Sequence, residues 1–114
     1  MLTKVAGISG GLAIALGAIG AHAMKNRSDA MRETWRIGNF YHLVHSIVLF
    51  QLAISPQLNP RKRKIAGILF TSGIVLFSGS CYAVVLMNER KPYSQAAPIG
   101  GMSLIFGWCA LAIL

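Results

Sequence analysis

The chain has 114 residues, of which 54% are hydrophobic and only 12% charged, and its formal net charge is +8. Soluble domains carry charge on about a quarter of their residues, so a water-soluble fold of this size has no means of hiding this much apolar surface. The charges gather at Lys4, Lys25 to Arg36, Arg61 to Lys64 and Glu89 to Lys91; such short collars, without aromatic residues interleaved on a basic face, exclude a nucleic-acid partner.

In chain order, the uncharged run at residues 5–24 matches the length needed to cross a hydrocarbon core of ~30 Å at ~1.5 Å per residue. It predicts a first transmembrane helix. Ala21-His22-Ala23 behind Lys4 also has the form of a signal-peptide cleavage site, but the segment reads as a retained span. Residues 28–38 open on a candidate N-cap, Ser28, and place Asp29 with Arg32 and Glu33 with Arg36 at i,i+3 spacing. With Trp35 as an interfacial anchor, they predict a short amphipathic helix on the membrane surface that turns into the next span near Gly38.

The second span is expected at 40–54, shorter and more polar than the others because it carries His42, His45 and Gln51, and ended by Ser55-Pro56. Asn59-Pro60 marks a turn before the basic collar, followed by a third helix at 65–87 and a fourth at 96–114 that tolerates Pro98 in its first turn. The fold class is therefore all-α, an integral membrane four-helix bundle with a short interfacial helix between helices one and two. Both termini then lie on one side, with five Lys and Arg residues there against six on the other, which does not orient the chain. The compact collar at Arg61 to Lys64 favours termini on the inner side, matrix or cytoplasm.

Helix packing is expected to use small residues: Gly7, Gly11 and Gly17 in helix one, Gly79 in helix three, and Gly100, Gly101 and Gly107 in helix four. Arg61, Lys62, Arg63 and Lys64, with Arg32 and Arg36, are expected to meet lipid headgroups, cardiolipin or another anionic lipid among them. Cys81 and Cys109 fall toward opposite membrane faces, too far apart for a disulfide, and read as apolar fillers.

One half of the bundle is expected to be polar, with His22, Tyr41, His42, His45, Ser80 and Tyr82 at comparable depth. Three roles compete for this cluster. Neutral histidines hydrogen-bonded across helices to Tyr41, Tyr82 or freed carbonyls would be structural. His42 and His45 at i,i+3, with His22 opposite, could instead ligate haem or a metal, or titrate along a proton or solute path. The only acids, Asp29, Glu33 and Glu89, are in loops, and neither a Gly-rich phosphate loop, CxxC nor HExxH occurs. No enzyme and no cofactor is expected.

Gly17 to His22 (GAIGAH), Tyr41 to His45 (YHLVH), Phe77 to Tyr82 (FSGSCY), Pro98 to Gly101 (PIGG) and Gly107-Trp108 occur in this order across all four helices. In these motifs the chain resembles the transmembrane protein 256 family of small membrane proteins, whose bacterial relatives are classed as a domain of unknown function. The resemblance implies a four-helix membrane protein without an established activity. Bacterial relatives often continue into a basic tail, and this chain is more similar to the shorter eukaryotic members, which look mitochondrial. It therefore implies an inner-membrane location and an accessory place on a respiratory complex.

Overall fold

The computed structural model describes residues 1–114 as four helices long and apolar enough to cross a membrane. These are α1 (Leu2–Ala23), α2 (Asp29–Ile54), α3 (Pro60–Met87) and α4 (Ala97–Ile113), the last led in by a single 3₁₀ turn at Tyr93–Ala96. The bundle is 47 Å long and 24 by 18 Å across, matching the ~40–45 Å of a bilayer with its headgroups. Ile8, Ile14, Phe40, Ile47, Val75, Ile99 and Phe106 face outward, the arrangement of a protein whose solvent is lipid. Leu2 lies against Gly67 and the Lys62 ammonium reaches Leu111, so both chain ends lie at the α2–α3 loop, as expected.

The interfacial helix does not exist as a separate element. Residues 29–54 form one unbroken helix of 26 residues, because nothing between Ser28 and Ser55 interrupts the i to i−4 bonding. Ser28 caps it, its Oγ accepting from the Met31 N–H at 3.2 Å, and the Asp29–Arg32 and Glu33–Arg36 pairs form along its first turns. Gly38 has an ordinary helical backbone, with no positive φ; it is small because Cys81 of α3 lies against it, 2.4 Å from where a Cβ would be. Nor is Trp35 a surface anchor. It is 3% exposed, its indole Nε1–H donates to the Leu16 carbonyl of α1 at 2.9 Å, and its ring packs on Tyr82. Of the two cysteines, Cys81 is buried and Cys109 faces outward.

Helix α3 starts at Pro60, earlier than expected. Asn59 is its N-cap, accepting from the Arg61 N–H at 2.8 Å, so the basic collar lies in the first turn of the helix and not in a loop. In mid-membrane, Ile74–Ser78 winds as a π turn, one extra residue within an otherwise regular helix. It is held between two glycines. A Cβ on Gly100 would come within 2.3 Å of the Phe77 main-chain nitrogen, and on the opposite side the Ser78 hydroxyl donates to the Gly38 carbonyl at 2.7 Å. The helix ends at Asn88, which adopts the left-handed conformation (φ 55°).

Every crossing of helices has glycine on one side. Gly17 admits the Asn39 side chain, Gly20 the Trp35 indole, Gly73 the Leu104 side chain and Gly107 the Phe70 ring. Of the glycines expected to pack, Gly17, Gly100 and Gly107 do so and Gly101 makes ordinary contact with Phe77; a Cβ on Gly7, Gly11 or Gly79 would meet nothing within 4 Å. Helix α1 leans on α2 through Ala6 and Ala13, its only buried residues, leaving two of its faces open.

Candidate functional site

Helix α2 is central, and its buried face carries Trp35, Gly38, His42, His45, Ser46, Leu49 and Leu52. From this face the two histidines diverge. His42 turns toward α1 and α3: its Nδ1 is 2.9 Å from the Tyr82 hydroxyl and its Nε2 is 3.1 Å from Ser9 Oγ. His45 lies toward α4, with Nδ1 2.7 Å from the Tyr41 carbonyl and Nε2 3.1 Å from the Trp108 indole nitrogen.

The direction of every proton in the first chain follows by elimination. The Ser46 hydroxyl donates to the His42 carbonyl at 2.7 Å, which uses its one proton. Ser9, 2.6 Å from Ser46, must therefore donate to it, and so Ser9 can only accept from His42. His42 thus carries its proton on Nε2, leaving Nδ1 as an acceptor, since a neutral imidazole has one of each. The Tyr82 hydroxyl then donates to Nδ1, and its oxygen accepts from Asn39 Nδ2 at 3.1 Å. Asn39 gives its second amide proton to the Ala13 carbonyl at 2.8 Å. The chain runs one way, from Asn39 through Tyr82, His42 and Ser9 to Ser46, and ties α1, α2 and α3 together.

His45 has the opposite tautomer. A carbonyl can only accept, so the proton is on Nδ1, and Nε2 accepts from the Trp108 N–H. The imidazole also packs against the Phe70 and Trp108 rings, centroids 5.5 and 6.1 Å away. No buried side-chain nitrogen or oxygen lacks a partner, which is the condition for keeping such groups in hydrocarbon, where an unpaired one costs several kcal/mol.

Three members of the expected cluster stand apart from this chain. His22 is exposed in the last turn of α1, sharing with Gly11 and Ala18 the face turned from α2; there its place is that of a basic group at a helix C-terminus. Ser80 is buried, but its hydroxyl donates to the Leu76 carbonyl within α3. Tyr41 gives its main-chain carbonyl to His45 and stacks its ring on that imidazole, centroids 6.0 Å apart, and on Phe77 at the bundle's edge, while its hydroxyl makes no hydrogen bond within the chain. Conversely, Ser9, Asn39, Ser46 and Trp108 belong to the two seams but are not in the polar cluster expected from the sequence, Trp108 entering there only through the Gly107-Trp108 motif. A signal existed: Trp35, Asn39, His42 and Ser46 are spaced i, i+4, i+7 and i+11, one face of a helix.

Of the six basic residues expected at headgroups, Arg32, Arg36, Arg61 and Lys64 are exposed, while Lys62 and Arg63, like Arg27 outside that set, reach neighbouring helices. The Arg63 guanidinium donates to the Leu52 carbonyl at 2.9 Å and to that of Ser55, Lys62 donates to Leu111 at 3.0 Å, and Arg27 donates to Val85 at 2.8 Å. Each closes the carbonyl end of a neighbouring helix, where the dipole is negative. Arg32 and Arg36 pair with Asp29 and Glu33. Arg61 and Lys64 remain exposed.

Fold and site together define a polytopic helical membrane protein, held by glycine crossings and two saturated polar seams. The family described as "Protein of unknown function (DUF423)" matches residues 16–101, and the chain belongs to that family, as its ordered motifs lead one to expect. Among relatives, the UPF0382 membrane protein YwdK of Bacillus subtilis is 33% identical over 90% of this chain and 85% of its own. The UPF0382 inner membrane protein YgdD of Escherichia coli is 33% identical over 95% of this chain and 83% of its own. The UPF0382 membrane protein C1782.12c of Schizosaccharomyces pombe is 28% identical over 96% and 97%. No solved structure matches.

Proposed function

We propose that this chain is a non-catalytic membrane subunit that docks sideways on a larger membrane assembly through the outer face of α1. The observation that carries this reading is that α1, over 22 residues, buries only Ala6 and Ala13, while Gly7 and Gly11 face outward with space for any side chain. In lipid, no hydrophobic drive brings helices together; close backbone approach over small residues does. The saturated histidines support the non-catalytic half, because His42 and His45 each have both ring nitrogens committed, leaving neither free as base or ligand. Residence in a mitochondrial inner membrane, a respiratory complex as the assembly, and anionic lipid such as cardiolipin at the exposed Arg61 and Lys64 complete the proposal; the motif resemblance supports the location.

The test is gentle-detergent extraction from native membranes, then native electrophoresis, mass spectrometry and a visible spectrum of the same band. The chain is expected to migrate with a larger assembly, and Gly7→Leu with Gly11→Leu to release it while leaving its own unfolding midpoint in place, because neither glycine touches the rest of the chain. A small self-contained band with its own haem absorption, or an assembly indifferent to both substitutions, overturns the reading.

A further inference from the structure

Helices α1 and α3 both lean on α2, and between them run two concavities of about 410 and 430 Å³ that share Val5 and Thr71 and so form one groove. Its α1 wall extends from Leu2 through Val5 and Leu12 to Leu16, about 21 Å at ~1.5 Å per residue and more than half of the ~30 Å hydrocarbon core. His42, Ser78 and Tyr82 lie beneath it, buried and with their polar atoms bonded within the chain, so the groove presents an aliphatic surface to the lipid. Gly79 opens onto its inner end, where a Cβ would meet nothing within 4 Å. The other end is charged. Lys64 lines this mouth and is exposed, as is Arg61 one turn before it on α3, whereas Arg63 there is spent on the Leu52 and Ser55 carbonyls. All three acidic side chains, Asp29, Glu33 and Glu89, belong to the opposite end of the bundle, in the first turns of α2 and just past α3. Two cations thus stand at the mouth with no carboxylate side chain to pair with.

We propose that the groove holds one acyl chain of an anionic phospholipid of the surrounding membrane, with the lipid phosphate at Lys64 and Arg61. An aliphatic groove open to the bilayer selects nothing by hydrogen bonding, and a hydrocarbon chain fills it without leaving a polar group unpaired. In lipid there is no hydrophobic drive to fill it either, so a chain alone exchanges with the bulk. What retains one lipid is charge: Lys and Arg at the membrane surface attract anionic headgroups, and these two have no partner inside the protein. The proposal deepens the contact with anionic lipid at Arg61 and Lys64 given above, and rests on it, by adding the place of the chain. Val5, Leu12 and Leu16 are on a different face of α1 from Gly7 and Gly11, so lipid here is independent of lateral docking.

Trp35 reads occupancy, because its indole donates to the Leu16 carbonyl and its ring packs 4.8 Å from that of Tyr82, both residues at the inner end of the groove. Trp108, the second tryptophan, is half-exposed on α4 and is removed as Trp108→Phe. This protein, in phosphatidylcholine nanodiscs, is titrated with phosphatidylglycerol brominated near the methyl ends of its chains, with phosphatidylcholine carrying the same chains, and with phosphatidylglycerol brominated beside the ester. Saturable quenching is expected from the first, at least about tenfold tighter than from the second, the scale of two basic residues at an anionic headgroup; the third should quench weakly, its bromine lying near the collar. Arg61→Gln with Lys64→Gln should bring the first probe to the level of phosphatidylcholine. Gly79→Leu fills the inner end and should abolish saturable quenching, and Thr71→Val should leave it unchanged. Equal, linear quenching by both headgroups overturns the proposal together with the lipid contact on which it rests. A headgroup preference that survives Gly79→Leu, or that is as strong with bromine beside the ester, sets the lipid on the collar with no chain in the groove and overturns the proposal alone, as does a tenfold loss in Thr71→Val, which would mean that a polar group enters. Should a variant fail to fold, the headgroup and bromine-position comparisons decide it.

Discussion

The sequence gives Tyr41 and Tyr82 equal standing beside the histidines, and the structure separates them sharply enough to measure. Tyr82→Phe removes one hydroxyl that donates to His42 Nδ1 and accepts from Asn39. Two interhelical bonds are lost, worth ~0.6 kcal/mol each on the average of measured membrane proteins. In addition, His42 keeps an unpaired acceptor and Asn39 an unpaired N–H, and a buried orphan of this kind costs ~1–3 kcal/mol. The ring remains, so packing against Trp35 is retained and the expected loss is about 3 kcal/mol or more. Tyr41→Phe removes a hydroxyl that makes no hydrogen bond within the chain and should change stability by less than about 0.3 kcal/mol, within the range of surface substitutions. Reversible unfolding in mixed micelles compares the two. A second readout is specific to the seam: ¹⁵N spectra of labelled histidine should show His42 protonated at Nε2 in the native chain, and a mixture of tautomers once Tyr82 no longer donates to Nδ1. Equal costs for the two tyrosines, or an unaltered His42 signal in Tyr82→Phe, would refute the directed chain.

Three further outcomes follow from the geometry. In the same ¹⁵N spectra His45 should be protonated at Nδ1, the opposite of His42, and Trp108→Phe should leave that assignment in place while costing about 1 kcal/mol in the unfolding assay, one hydrogen bond lost at a half-exposed site. Gly100→Ala places a Cβ against the backbone of Phe77 and Gly107→Ala places one 2.7 Å from the buried Phe70 ring, so both should cost ~1–3 kcal/mol or more and lower the yield of folded protein, whereas Gly11→Ala should be neutral. Arg63→Gln removes a charged donor from two carbonyls at the end of α2 and should lower the unfolding midpoint by about 1–2 kcal/mol equivalent, an effect insensitive to whether the surrounding lipid is anionic; a dependence on anionic lipid would return Arg63 to the headgroup role.

What could be read in advance was whatever depends on the difference between apolar and polar, or on proline and capping chemistry. The uncharged runs located four spans, Ser28 stands at a helix start and Ser55-Pro56 ends α2, whereas Asn59-Pro60, expected as a turn with the helix beginning at 65, caps and opens α3. The charges of residues 29–36 suggest a separate surface helix, which the structure does not have. In fact a helix of 26 residues spans ~39 Å at ~1.5 Å per residue, longer than the hydrocarbon core, so its first turns extend into the headgroup layer without a break. The same error of scale made α2 look too short to span.

What could not be read is the rotation of each helix about its axis. In water, the buried face of a helix is the apolar one, and its period reveals it. In lipid both faces are apolar, so the pairs Gly7–Gly11 and Gly17–Gly20 are equivalent on paper, and only the second meets a partner. The residue that settles the rotation of α1 is a polar one: Ser9, whose hydroxyl must find His42 and Ser46, turns Ala6, Ala13 and Gly17 toward α2 and Gly7 and Gly11 away from it. In such a chain the sparse polar residues, rather than the glycines, carry the information about which face is inside, and the glycines follow by allowing the approach that the hydrogen bonds require. A shift of Ser9 by one position, as in Ser9→Ala with Ile8→Ser, should then leave the seam unpaired even though composition and hydropathy are unchanged to within one side chain; unaltered unfolding of that variant would show that glycine packing alone orients α1.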